Sequence, residues 1–274
     1  MKSRVSRLIK LTKTLIKATS KLQRYSSKFS RKDFTLQQHV VLLCLKVKTK
    51  QRYREFVDLL ETMTLVQEIL GLDKVPHYST LDRAFLRLKN HVLAAMLQAE
   101  SSGFAAIDAT SFDRGHASLR YQITCKLHLR AVKATFLIDH DQNIIDLHCT
   151  TTRKHDSKIV LPLTKHHRLR VLCADMGYDD SKVRRTLHSR GIRPMIPYRS
   201  FKPKHKYWNS LFDKKLYHKR SLCETVNSVI KRKYSDTLYS KSWRSQFKEM
   251  TLLAVVYNFD RNIKDLLEVF NRAN

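Results

Sequence analysis

The hydrophobic period of this chain changes near Gly103, and that change constrains the fold more than any other feature. Before it, the chain is helical in pattern: 36–47 is rich in Leu, Val and Gln, and 53–60 and 65–70 follow as further short helices. After it, short runs rich in Val, Ile, Leu and Thr at 104–112, 131–138, 144–150, 170–174 and 193–196 read as strands. The polar run 139–143 predicts a hairpin between the second and third. Helical stretches are expected at 156–164 and 180–189, and a longer helix at 217–234. Strands first and alternation later imply the α/β class, with a mixed sheet flanked by helices. The expected domains are a helical region at 1–100 and a sheet-based core at 103–265.

The helical region carries its own pattern. Residues 1–32 contain no acid. Arg7, Lys10, Lys17, Lys21, Arg24 and Lys28 are spaced for one helical face, with Leu8, Leu11, Leu15 and Leu22 on an adjoining one. An unbroken helix here would be roughly 40 Å long. Its basic stripe could follow a phosphate backbone, face solvent, or lie on a membrane surface. Gly71 is a candidate helix stop. Ser79, as N-cap with Asp82 closing a capping box, is expected to open a helix bearing Arg83, Arg87 and Lys89. Short helices ending in a basic one suit a helix-turn-helix DNA reader or a plain helical bundle.

Composition matters for partners. Lys and Arg total 53 against 24 Asp and Glu, a formal net charge of +29. Self-repulsion on that scale is relieved by a polyanion, and double-stranded DNA is the expected partner. Hydrophobic residues at 42% supply a core and exclude a disordered basic tail. No apolar run approaches the roughly 20 residues of a membrane span. Cys44, Cys125, Cys149, Cys173 and Cys223 form no C-x-x-C pair, against a zinc ribbon or disulfide scaffold and in favour of a reducing interior.

Three acids occupy positions suited to chemistry. Asp108 lies within Ala105-Ala106-Ile107-Asp108-Ala109-Thr110, in an apolar strand where a lone carboxylate is costly. Asp175 ends a second strand, and Gly177 is expected to let the chain turn sharply after it. Glu224 falls on the helix at 217–234, where Tyr217, Arg220, Glu224 and Lys231 form one polar stripe. Converging carboxylates repel one another, and divalent cations such as Mg²⁺ resolve that repulsion. Two such ions about 4 Å apart activate a water or 3′-OH in phosphoryl transfer. Arg220 and Lys231 would then bind DNA phosphates, and Tyr217 a base or sugar. The structural alternatives are a turn acid at Asp175 and a surface pair of Glu224 with Arg220 or Ser228.

The run Tyr217-x-x-Arg220-x-x-x-Glu224-x-x-x-x-x-x-Lys231 resembles the Y-(2)-R-(3)-E-(6)-K signature of insertion-sequence DDE transposases, the IS-four and IS-five type superfamily. Ile107-Asp108-Ala109-Thr110-Ser111 resembles that family's first catalytic Asp block. Ala174-Asp175-Met176-Gly177-Tyr178 resembles its second. Val75-Pro76-His77-Tyr78-Ser79-Thr80-Leu81 resembles a segment common before the core. The resemblance spans about 103–262 and implies an RNase H-like core with Asp108, Asp175 and Glu224 as metal ligands. It also implies recognition of terminal inverted repeats, cleavage and strand transfer by a homodimer or higher oligomer on DNA, in a prokaryotic cytoplasm. The interval from Asp175 to Glu224 is short beside relatives with a large insertion. Asp113, Asp179 and Asp180 lie near the triad. His155-Asp156 resembles an H-D pair upstream of the second Asp, or is a helix N-cap. A transposase-derived DNA-binding protein without catalysis is the alternative function.

Overall fold

A computed structural model describes residues 4–26, 29, 31–97, 103–114, 119–124, 131–151, 154–199 and 202–272. The chain divides into two compact units. One holds the residues up to Met96 together with those from Thr251, and the other is Leu97–Met250.

The first unit is helical: α1 (Arg4–Thr19), α2 (Leu36–Thr49), α3 (Tyr53–Thr62), α4 (Thr64–Leu70), α5 (Tyr78–Arg87) and α6 (Asn90–Ala95). Helix α1 is shorter than its pattern predicts. Sixteen residues rise about 24 Å. It ends because its last carbonyls find other donors: Thr19 Oγ1 bonds Leu15 O at 2.7 Å, Ser20 Oγ bonds Lys17 O at 2.9 Å, and Gln37 Nε2 of α2 bonds Ile16 O at 2.9 Å. Lys21 and Arg24 therefore lie beyond the helix, and Lys28 lies outside the described residues. Leu11 and Leu15 are buried as expected. Helix α2 opens with a capping box between Thr35 and Gln38. Gly71 ends α4 in the left-handed region at φ 59, as predicted. Helix α5 starts at Tyr78, two residues before the helix expected behind a Ser79 cap, and its cap is His77, whose ring accepts from the Ser79 N–H. Ser79 is inside the helix, and Asp82 closes no capping box.

The second unit begins with β1 (Gly103–Asp113) and α7 (Leu119–Thr124), followed by the hairpin β2 (Ala131–Ile138) and β3 (Ile144–Thr151). Asp139 closes the hairpin by accepting from Asn143 N–H at 2.8 Å. Next come α8 (Ser157–Leu163), β4 (Leu169–Cys173), a 3₁₀ turn (Met176–Tyr178), α9 (Ser181–Ser189) and β5 (Arg193–Met195). Four further helices follow: α10 (Pro203–Ser210), α11 (Lys214–His218), α12 (Ser221–Lys233) and α13 (Trp243–Arg272), the last of which continues into the first unit.

The sheet order is β3-β2-β1-β4-β5, antiparallel across β3-β2-β1 and parallel across β1-β4-β5. This is the mixed sheet the pattern predicted, with strand ends within about two residues. Strand β1 is central and covered on both faces, so its apolar run is continuous rather than alternating. Ala105 and Ile107 join Ile159, Val160, Val183 and Leu187 in the core beneath α8 and α9. The other face of β1 and β2 carries α12.

The helix expected at 217–234 is two helices. Asp213 Oδ1 caps α11 by accepting Leu216 N–H at 2.9 Å. The joint runs on three-residue bonds: Lys219 N–H to Leu216 O, Arg220 N–H to Tyr217 O and Leu222 N–H to Lys219 O. Tyr217 thus sits on α11 and Arg220 at the N-cap position of α12.

Candidate active site

Strand register does the first work. Ala106 pairs with Cys173 across the parallel β1–β4 ladder. Two residues further along each chain stand Asp108 and Asp175, neighbours on one face. Alternation fixes that face: Ile107, Leu172 and Ala174 enter the core under α8 and α9, so Asp108, Cys173 and Asp175 point the other way. Cys173 Sγ meets Leu216 O of α11 at 3.6 Å, and Asp108 Oδ2 accepts from Asn227 Nδ2 of α12 at 3.1 Å. Helix α12 supplies Glu224 from the same side.

Charge gathers these groups unevenly. Asp108 is half-buried, and its carboxyl is pushed above the usual aspartate value. Burial is the main cause, opposed by the Ala109 backbone hydrogen bond and Arg220, and reinforced by the negative charges of Glu224 and Asp175. Arg220 Nη2 donates to Glu224 Oε1 at 2.6 Å. Burial works against the Arg220 charge, but Glu224, Tyr217 and Asp108 outweigh it and hold the guanidinium above its ordinary value. Burial raises the Tyr217 phenol, which also hydrogen-bonds Arg220 and senses Asp175. Beneath them lie Cys173 and Cys223, whose thiols burial holds up, the first to about 12. Asp175 is exposed and accepts from Met176 N–H at 2.7 Å as the cap of the 3₁₀ turn. Gly177 has no positive φ, so this turn does not use glycine's freedom as expected.

Lys231 stands apart. Its Nζ lies 5.5 Å from the centroid of the Phe112 ring. Phe112 is four residues beyond Asp108 on β1, about 13 Å away along the strand. The stripe read from the sequence therefore splits: Tyr217, Arg220 and Glu224 lie within electrostatic reach of the aspartates, while Lys231 covers the end of β1.

The carboxylates of Asp179, Asp180 and Asp156 are engaged elsewhere, while Asp113 is held through its backbone. Asp179 holds Arg184 Nε at 2.7 Å and accepts Arg199 N–H at 2.9 Å. Asp180 caps α9, and the backbone of Asp113 bonds Asp236 and Leu238. Asp156 occupies the N-cap position of α8, but its backbone is already helical and its side chain makes no cap bond. It pairs with Lys133 of β2, and His155 Nδ1 takes the Ser157 N–H at 3.4 Å.

A family model described as Transposase DDE domain matches residues 100–259. The chain belongs to the transposase DDE domain family. Among solved structures, it is similar to the piggyBac transposase in its synaptic complex with hairpin DNA, determined by cryo-EM. The TM-score is 0.49 and the identity 11%, over 93% of this chain and 71% of that one. No curated protein matches the chain.

Transposase DDE domains generally depend on divalent metal. The donors here are carboxylate oxygens from β1, the end of β4 and α12, the hard ligands that Mg²⁺ or Mn²⁺ takes. Their mutual repulsion, felt at Asp108, is what a cation would relieve. Among the described residues, however, no three His, Cys, Asp or Glu side chains are grouped to hold an ion. Each carboxylate is turned to a donor from the protein: Asn227, Met176 N–H or Arg220. The donor chemistry fits the metal, and in this arrangement Glu224 gives one carboxylate oxygen to Arg220. Asn227 has no place in the sequence signature. Its one signal there is a polar residue on the apolar stripe of α12.

Proposed function

We propose that this transposase DDE domain cuts the ends of a mobile DNA element and joins them to a target. Asp108, Asp175 and Glu224 would hold two Mg²⁺ or Mn²⁺ ions. What carries this is the register that sets Asp108 beside Asp175 on the face that α12 covers with Glu224. Bound there, the ions supply the activation of a water or 3′-OH and the stabilisation of the leaving oxygen. Arg220 binds the phosphate next to the cut with its planar fork, and Lys231 a phosphate further along. Tyr217 contacts a base or sugar at the end of the strand. The basic helices of the first unit, α5 with Arg83 and Arg87 among them, read the terminal inverted repeats. Two or more copies of the chain act together on the DNA in a prokaryotic cytoplasm. Among the described residues no helix is long and apolar enough to cross a membrane.

The test uses DNA carrying the gene's own flanking sequences, the full-length protein, and Mn²⁺ or Mg²⁺. Wild type should break strands at discrete positions within inverted repeats. Glu224→Ala or added chelator should abolish the breaks and leave end binding intact. The second reading, DNA binding without catalysis, is favoured by the Arg220–Glu224 pair. It predicts tight end binding with no metal-dependent breaks in the wild type.

A further inference from the structure

Asn227 lies on the buried stripe of α12 with Cys223, Val226 and Ile230, one turn beyond Glu224. An apolar side chain is the ordinary occupant of such a position. Asn227 is only 8% exposed. Its Nδ2 donates to Asp108 Oδ2 at 3.1 Å, while its Oδ1 is buried without a hydrogen-bond partner. A half-satisfied buried amide is unfavourable, so packing alone does not account for it. The amide orientation follows from chemistry: an ionised carboxylate only accepts, so the NH₂ must face Asp108. The Ala109 backbone gives the same carboxylate a second hydrogen bond. One bond comes from the strand and one from the helix, and both restrain the Asp108 side chain.

We propose that Asn227 is a positioning residue, holding the Asp108 carboxylate in one rotamer on the face it shares with Asp175 and Glu224, ready to bind a divalent ion. The proposal rests on those three acids being the ligands. Helix geometry divides the labour: Glu224 is on the exposed side of α12, and three residues later Asn227 reaches the strand beneath. Partners that orient metal-binding side chains typically change metal affinity about 10–100-fold.

The experiment titrates Mn²⁺ into the full-length chain by calorimetry without DNA, and records thermal melting in EDTA. Asn227→Leu should weaken Mn²⁺ binding about 10–100-fold. Its melting temperature should match or exceed that of wild type, since leucine suits the stripe. Asn227→Ala should show the same weakening, and stands in if the leucine variant does not fold. Val226→Ala, a packing control on the same stripe, should melt lower with Mn²⁺ affinity unchanged. Wild-type affinity in the Asn227 variants, with affinity lost in Asp108→Asn, overturns the role of Asn227 and leaves the ligand assignment standing. Equal weakening in Val226→Ala also overturns it, because affinity would then follow packing. Wild-type affinity in Asp108→Asn overturns both.

Discussion

Arg220 is where stability and chemistry should separate. Its guanidinium donates to Glu224 at 2.6 Å, four residues along, with the side chains 23% and 56% exposed. Half-solvated pairs of this spacing contribute about 0.3–0.5 kcal/mol. The hydrogen bond shared with Tyr217 adds at most about 1 kcal/mol, and water can replace it at a half-exposed phenol. Arg220→Ala should therefore cost about 0.5–1.5 kcal/mol, or a few degrees of melting temperature for a unit of this size. The chemical loss should be far larger. A donor aimed at the charge developing in phosphoryl transfer is worth roughly 10²–10³ in rate. Arg220→Lys should fall between, keeping the charge and losing the fork. The assay pairs scanning calorimetry with single-turnover cleavage of an end-containing duplex. A melting drop beyond about 8 °C with cleavage reduced less than about tenfold would refute the reasoning and make Arg220 a structural brace.

Two other perturbations follow from the same geometry. Arg184 holds Asp179 at 2.7 Å and Ile196 O at 2.5 Å, with its guanidinium 3.6 Å from the Tyr198 ring centroid and only 10% of the side chain exposed. Arg184→Met breaks a buried pair and should cost about 3 kcal/mol in a urea melt, the low end for such pairs because Asp179 keeps the Arg199 N–H; a cost below about 1 kcal/mol would show the pair is dispensable. The raised Asp108 carboxyl sets a pH dependence. The folded state binds this proton more tightly than the unfolded state, so the stabilisation is complete below the ordinary aspartate value. It is lost as pH rises through the higher, folded one. In EDTA, Asp108→Asn should remove this decline across the acidic range, and denaturation curves of wild type and variant with equal slopes against pH would contradict it.

Local chemistry was legible in the amino-acid order because it depends on near neighbours. Periodicity located five strands, the hairpin at Asp139 and the helix stop at Gly71, since apolar spacing and turn residues act over a few positions. It overran where the decision came from elsewhere: α1 ends at Thr19 because Gln37, on the next helix, takes one of its last carbonyls. The helix at 217–234 broke because Asp213, outside the window that looked helical, caps an earlier short helix. Asp156 was a poor cap because its own backbone had already turned helical. At the candidate site, the order of residues determined which acids were available, and the Tyr217, Arg220 and Glu224 stripe survived the break. Tertiary structure decided the rest. Only strand register sets Asp108 beside Asp175, since residues 67 positions apart become neighbours through a ladder, not through spacing. Only the packing of α12 on β1 shows that Asn227 touches Asp108 while Lys231 stands over Phe112, four residues further along the strand. Periodicity says which side of a helix a residue occupies, but what that side meets depends on contacts between distant segments.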